Sequence, residues 1–197
     1  MAQKNHTHSP DVYHLKYKIC VSGAAETGVC APGALEKTEE LGRLIAEHNM
    51  VLVTGATTGA PYWAAKGAKS AGGIVIGISP AASKLQHVKT YRLPIDYHDL
   101  IIYTGFGYSG RNLLLIRAAD AVLTTCGRIG TLNEFTAAFE DSKPQGILTG
   151  TGGTSEMLPD IIARAHRGSG KVVADEDPEK LLDKVIALIQ AEEKGID

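Results

Sequence analysis

The chain is 197 residues long and carries 20 Lys and Arg against 22 Asp and Glu, for a net charge of −2 and an isoelectric point near 6.4. That balance offers no basic field to draw in nucleic acid or an anionic membrane surface, so neither is expected as a partner. The length suffices for one domain that buries roughly 70% of the surface its unfolded chain exposes, without help from disulfides.

Three cysteines, Cys20, Cys30 and Cys126, lack the paired spacing of a zinc site. Their odd number suits a reducing compartment, so the expected location is the cytoplasm. Met1 to His14 is polar and lacks the apolar core of a signal peptide, and no run approaches the length of a membrane span. His6, His8 and His14 read as a solvated tail rather than as metal ligands, and the pattern calls for no metal and no cofactor. We therefore expect a flexible N-terminal tail over 1–16 and a single nucleotide-binding domain over 17–197.

Ile19-Cys20-Val21 predicts a first buried strand. It ends in Ser22 to Gly28, small residues that admit a ligand closely at Gly23 but do not spell the GxGxxG of a dinucleotide dehydrogenase. A helix follows from about Gly33 to His48, with Leu41, Leu44, Ile45 and His48 at helical spacing. Met50 to Thr54 forms the second strand and runs into Gly55-Ala56-Thr57-Thr58-Gly59. Glycines there let the backbone approach a phosphate and threonine hydroxyls supply donors; an ordinary strand-to-helix turn accounts for the same residues. A small-residue helix through Ala71 and a third strand over Ile74 to Gly77 come next. Pro80 to His98 is irregular and reads as a lid or substrate-selecting loop. Leu100 to Thr104 is the fourth strand, and Gly105 to Asn112 leads into a helix over Leu113 to Ala119. Leu113, Leu114, Leu115 and Ile116 are consecutive, so this helix cannot hide its apolar surface on one face. A second subunit in a symmetric homodimer is expected to cover the rest.

Ala121 to Thr125 is the fifth strand, Cys126 to Gly130 a glycine-bearing turn, and Thr131 opens a helix with Phe135, Ala138 and Phe139 on one face. Unpaired N–H groups and the dipole at that helix start make a seat for an anion. Thr131 to Glu134 also spells a capping box, in which Glu134 would only return a hydrogen bond to the helix start. Arg111, in the first turn of its helix, opposes the macrodipole and needs compensation, from a carboxylate such as Glu134 or from a bound phosphate or leaving base. Gly146 to Thr149 is a sixth strand, and Gly150 to Ser155 after it resembles a phosphate loop without the lysine of a P-loop. A helix over about Glu156 to Arg167, a strand over Lys171 to Ala174 and a closing helix begun by Asp177-Pro178 complete the pattern. The alternation predicts an α/β fold, an open doubly wound parallel sheet of Rossmann-like type with helices on both faces. The small and polar loops then converge at the carboxyl ends of the strands.

Cys126-Gly127-Arg128-Ile129-Gly130-Thr131-Leu132-Asn133-Glu134 resembles the PGGxGTxxE signature of the Lonely Guy family, the cytokinin-activating phosphoribohydrolases often labelled lysine decarboxylases. Cys126 stands for the leading proline and Arg128 for the second glycine. Gly110-Arg111-Asn112 is similar to the family's arginine-bearing segment, with Arg111 23 positions before Glu134 as the family pattern asks. Ala65 to Gly77 resembles its helix and third strand. The resemblance covers about Lys18 to Phe139 and is closest to a bacterial branch of nucleotide-binding proteins that also resembles the molybdenum cofactor carriers. It implies hydrolysis of the N-glycosidic bond of a nucleoside 5′-monophosphate. Arg111 and Glu134 would be catalytic, and Gly23, Gly55, Thr57, Thr58, Gly59, Asn112, Gly127, Arg128, Gly130 and Thr131 would surround the phosphate or nucleotide. That chemistry needs an anchored phosphate, a carboxylate near the anomeric carbon, and a cation for the leaving group or phosphate. The alternative is a non-catalytic carrier or sensor of a nucleotide-like ligand such as molybdenum cofactor, because a side chain at position 128 would crowd the phosphate backbone or bind a larger anion directly. Pyridoxal-dependent decarboxylation finds no lysine in a recognisable Schiff-base context.

Overall fold

In the computed structural model, which describes residues 15–193, strands and helices alternate along the chain. The strands are β1 (Lys18–Ser22), β2 (Val51–Thr54), β3 (Ile74–Ser79), β4 (Leu100–Tyr103), β5 (Ala121–Thr124), β6 (Gln145–Leu148) and β7 (Val172–Asp175). The helices are α1 (Ala34–Glu47), α2 (Ala60–Ser70), α3 (Gly107–Ala118), α4 (Ile129–Glu140), α5 (Leu158–Ala165) and α6 (Pro178–Glu193). All seven strands are parallel, in the order β4-β3-β2-β1-β5-β6-β7. The chain steps outward from β1 to β4, then returns to the other side of β1 for β5 and continues to β7. The order therefore reverses between β1 and β5, the place where an open α/β sheet leaves a crevice at the strands' carboxyl ends.

Strand side chains alternate between two cores. Ile19, Val21, Leu52, Leu123 and Leu148 meet Leu41, Ile45, Ala64, Ala68, Leu181 and Val185 of α1, α2 and α6. Cys20, Val51, Val53, Ile78 and Val122 meet Leu115, Ile116 and Ala138 of α3 and α4 on the opposite face. The small residues of α2 have a use here: a Cβ on Gly42 would sit 2.0 Å from the Ala64 carbonyl oxygen, and one on Gly67 1.8 Å from that of Glu39. The two helices thus touch backbone to backbone, which a larger side chain at either position would forbid.

Three expectations are corrected. Helix α3 begins at Gly107 rather than Leu113, so Arg111 and Asn112 lie on the helix and not in a loop before it. The glycines at 107 and 110 weaken helix propensity, but packing on the sheet outweighs them. Helix α4 likewise begins at Ile129, ahead of Thr131. Pro80 to His98 is not irregular throughout: Gln86–Thr90 forms a wide, π-type helical turn anchored by fully buried His87, whose Nδ1 faces Ser79 Oγ at 2.8 Å and whose Nε2 faces the Pro94 carbonyl at 2.9 Å. His98 ties down the end of the segment through Thr54 Oγ1 at 2.9 Å, and burial lowers its pKa, favouring the neutral ring. The tail expectation for residues 1–14 lies outside the described residues.

Candidate functional site

A cavity of about 390 Å³ opens at the reversal point, lined by residues following β1 and β5, by Thr57 after β2, and by α3. It brings together Gly23, Thr57, Arg111, Asn112, Arg128, Gly130, Thr131 and Glu134, eight of the twelve residues singled out from sequence. Arg111 is only 5% exposed although it carries a permanent charge. Its guanidinium lies against the backbone of Gly55, where an added Cβ would come within 1.6 Å of Nη1. Gly55 is glycine because an arginine occupies the space of its side chain. The other face of the group looks toward the Tyr108 ring, 6.0 Å away. No carboxylate among the described residues forms an ion pair or hydrogen bond with Arg111; Glu134 acts on it only through the field between them.

Glu134 is 6% exposed. Its Oε2 accepts a hydrogen bond from the Ser22 hydroxyl, at the end of β1. The Asn112 amide nitrogen, turned as its surroundings require, donates to Oε1 at 2.9 Å and to the Tyr108 carbonyl at 2.9 Å. Burial raises the pKa of Glu134 above the usual carboxylate range; Arg111 and then the Ser22 hydroxyl pull the other way without cancelling it. The capping-box role is thereby overturned. With α4 starting at Ile129, Glu134 sits a turn and a half inside the helix and faces the sheet, and it is Thr131 Oγ1 that accepts from the Arg128 N–H, at 3.4 Å.

At the mouth, Arg128 pairs with Glu26 across the gap between the turn after β5 and the loop after β1. The same two segments are joined by a disulfide between Cys30 and Cys126, 96 positions apart with Cα atoms 5.2 Å apart, and by the Ala24 N–H donating to the Cys126 carbonyl at 2.7 Å. The sequence leaves these cysteines unpaired; only the fold brings them together. Gly130 has nothing within 4 Å of where a Cβ would stand, so its missing side chain keeps the cavity floor open.

Four residues singled out from sequence do not line the cavity. Gly55 lies under Arg111, and the Thr58 hydroxyl donates to the Ala25 carbonyl at 3.0 Å. Gly59, at φ 71° and ψ −140°, abuts the carbonyls of Ala24 and Ala25 in a conformation that needs glycine. The Gly127 carbonyl accepts from Thr154 N–H at 2.8 Å. The Gly150 to Ser155 loop is bound up in that contact, in the Ala31 N–H bond to Thr151 O at 2.9 Å, and in Glu156 Oε1 accepting from Thr151 and Gly152. The N–H groups of Thr151, Gly152 and Thr154 are thus engaged within the protein, and the loop does not line the cavity. Ser22, Glu26 and Tyr108 carried no sequence signal, being ordinary residues that only strand order and helix phase direct to the site. A second cleft of about 440 Å³ lies at the amino ends of the strands, but its charges are already engaged, Lys18 with Asp120 at 2.8 Å and Lys143 Nζ on the Ala119 carbonyl at 2.6 Å.

Parallel topology, a crevice at the strand-order reversal and a helix N-terminus opening on it define a Rossmann-like protein. Its sequence matches the SLOG cluster4 family over residues 16–182, and the chain belongs to that family, within the Lonely Guy-like superfamily. An uncharacterised protein of Archaeoglobus fulgidus is 32% identical over 126 residues, 64% of this chain and 78% of that one. The solved structure of the molybdenum cofactor binding protein from Rippkaea orientalis superposes with a TM-score of 0.76 at 29% identity, covering 90% of this chain and 99% of the other. That of the molybdenum cofactor carrier protein from Chlamydomonas reinhardtii gives 0.71 at 27% identity, over 89% and 99%. Among the described residues no helix is long and apolar enough to cross a membrane.

Proposed function

We propose that the protein binds a phosphate-bearing, nucleotide-like small molecule in the cavity between β1 and β5 and serves as its carrier. The observation that carries this is Arg111: a guanidinium removed from water without an ion partner is costly, and it persists where a ligand completes it. The α4 N-terminus, Gly130 and Thr131 add backbone and hydroxyl donors beside it. Similarity to molybdenum cofactor binding and carrier proteins makes a phosphorylated pterin of that kind the first ligand to test. A second reading, hydrolysis of a nucleoside 5′-monophosphate at its N-glycosidic bond, is favoured by Glu134, a buried carboxyl held from two sides next to the anion seat. Calorimetry against adenosine and guanosine monophosphates, with chromatography for released base, separates the two. Saturable binding without base release supports the carrier, base release supports the hydrolase, and no binding of any phosphate ligand refutes both.

The working unit we propose is a homodimer; the Cys30–Cys126 disulfide removes the cysteine argument for a reducing cytoplasm. In α3, Leu115 and Ile116 are buried, whereas Leu113 and Leu114 remain 40% exposed. Edge strand β4 pairs Leu100 with Ile76 and Ile102 with Ile78, whose side chains face the α3 side of the sheet, and Leu100 and Ile102 stay about half exposed there. An apolar face that continues from a helix to a bare sheet edge matches a second copy of itself.

A further inference from the structure

We infer that the cavity takes a ligand with two anionic groups, one seated on Arg111 in the floor and one on Arg128 at the rim, with Glu26 occupying Arg128 until the second group arrives. This rests on the phosphate seat proposed above and extends it to the class of ligand. Both guanidiniums line the same cavity. The backbone of Arg128 is fixed: its N–H donates to Thr131 Oγ1, and its carbonyl accepts from Thr154 Oγ1 at 3.1 Å and from the Leu132 N–H at 3.0 Å. Only its side chain is free to answer a ligand. That side chain is 52% exposed and its ionic partner, Glu26, is 80% exposed, so the pair stands largely in water. Exposed pairs of this kind contribute little, whereas a phosphoryl group accepts two parallel charge-assisted bonds from a guanidinium. Exchange of Glu26 for a second phosphoryl group is therefore favourable, and the released carboxylate returns to solvent at small cost.

The charge balance of the cavity selects the same ligand. Among the described residues Glu134 forms an ion pair with neither arginine and is held instead by Ser22 and Asn112, so once Glu26 turns aside the two cations have no paired carboxylate opposite them. One phosphate on Arg111 leaves the second unmet. A diphosphate, or a phosphate with another anionic group beyond it, answers both. The Lonely Guy signature has glycine at position 128, so this second cation belongs to this chain rather than to the shared motif.

The test compares affinities in metal-free buffer for adenosine monophosphate against diphosphate, and for inorganic phosphate against pyrophosphate. Wild type, Arg128→Gly, Arg128→Gln and Glu26→Gln are measured by calorimetry. Wild type should prefer the two-group member of each pair by on the order of tenfold. Either substitution of Arg128 should bring that ratio close to one, and Glu26→Gln, at an exposed position that cannot disturb folding, should widen it. The nucleotide pair and the inorganic pair together tell whether the base is needed for the preference. A ratio near one in wild type, or one that Arg128→Gly and Arg128→Gln leave unchanged, overturns the second seat alone. If none of the four ligands binds, the Arg111 seat falls and this inference with it.

Discussion

Arg111→Met asks whether the buried guanidinium is there for the fold or for a ligand. Methionine keeps the volume and the flexibility of the chain, so Gly55 and Tyr108 keep a neighbour while the charge is removed. Among the described residues Arg111 has no ion partner and is only 5% exposed, and Glu134 acts on it only through the field, while burial raises that carboxyl's own pKa. Removing such a charge relieves the cost of burying it, so the variant should be at least as stable as wild type. About 1 kcal/mol of gain would appear as a rise of roughly 2–4 °C in melting temperature for a chain of this size. The ligand should behave oppositely. Loss of hydrogen bonds from a charged donor costs roughly 1.5–3 kcal/mol, which weakens phosphate-ligand affinity by about 10- to 150-fold. Thermal denaturation and calorimetric titration on the same preparations measure both. A fall of several degrees with unchanged affinity would show that Arg111 supports the fold and would refute the anion seat.

Glu134→Gln tests the raised pKa. A carboxyl whose folded pKa lies above its unfolded value adds stability below the unfolded value and loses it as pH rises through the folded one. Glutamine does not titrate, so the variant should gain on wild type between pH 5 and pH 8; melting curves that stay parallel across that window would contradict the shift. Reduction of Cys30–Cys126 opens a loop of 96 residues, and the chain-entropy estimate of about 4.7 kcal/mol corresponds to a drop in melting temperature on the order of 10 °C. Cys30→Ser should match the reduced protein, and a melting point indifferent to reductant would show the pair unbonded. For the apolar edge, Leu114→Asp or Ile102→Asp should give a monomer in sedimentation, while a wild type already monomeric at micromolar concentration would dispose of the dimer.

How much of this the sequence discloses depends on the range of the forces involved. Strands such as Ile19-Cys20-Val21 and Ala121 to Thr125 are local apolar, β-rich runs, and the alternation with helices is enough to imply the parallel sheet and its carboxyl-end site. Arg111 and Glu134 stand out through the spacing that the Lonely Guy signature shares. Their environment does not, because Ser22, Asn112 and Tyr108 reach Glu134 and Arg111 only through strand order and helix phase. Helices α3 and α4 start earlier than their local pattern predicts for a related reason: the glycines before Leu113 and at Gly130 are poor helix formers locally, and tertiary packing overrides them. Gly55 and Gly59 look like phosphate-loop glycines and are glycines for contact reasons instead, one beneath Arg111 and one against the carbonyls of Ala24 and Ala25.

The pairing of an unpartnered cation with a carboxyl that resists ionisation bears on the choice between carrying and cleaving. A phosphate dianion bound to Arg111 offsets the influence that lowers the Glu134 pKa and adds a negative charge beside it, so the ligand drives the carboxyl further toward its neutral form. An oxocarbenium-like transition state asks for the opposite, an ionised carboxylate at the moment positive charge develops. Ligand binding and N-glycosidic catalysis thus pull Glu134 in different directions, which is the reason for proposing the carrier ahead of the hydrolase. The coupling is measurable as the difference between wild type and Glu134→Gln, in which the phosphate's own proton exchange cancels. Titrating a nucleoside monophosphate at steps from pH 5 to pH 8, in buffers of different ionisation enthalpy, should reveal a window of net proton uptake by wild type that Glu134→Gln lacks. Equal proton exchange in the two proteins would separate the carboxyl from the anion seat and return hydrolysis to equal standing.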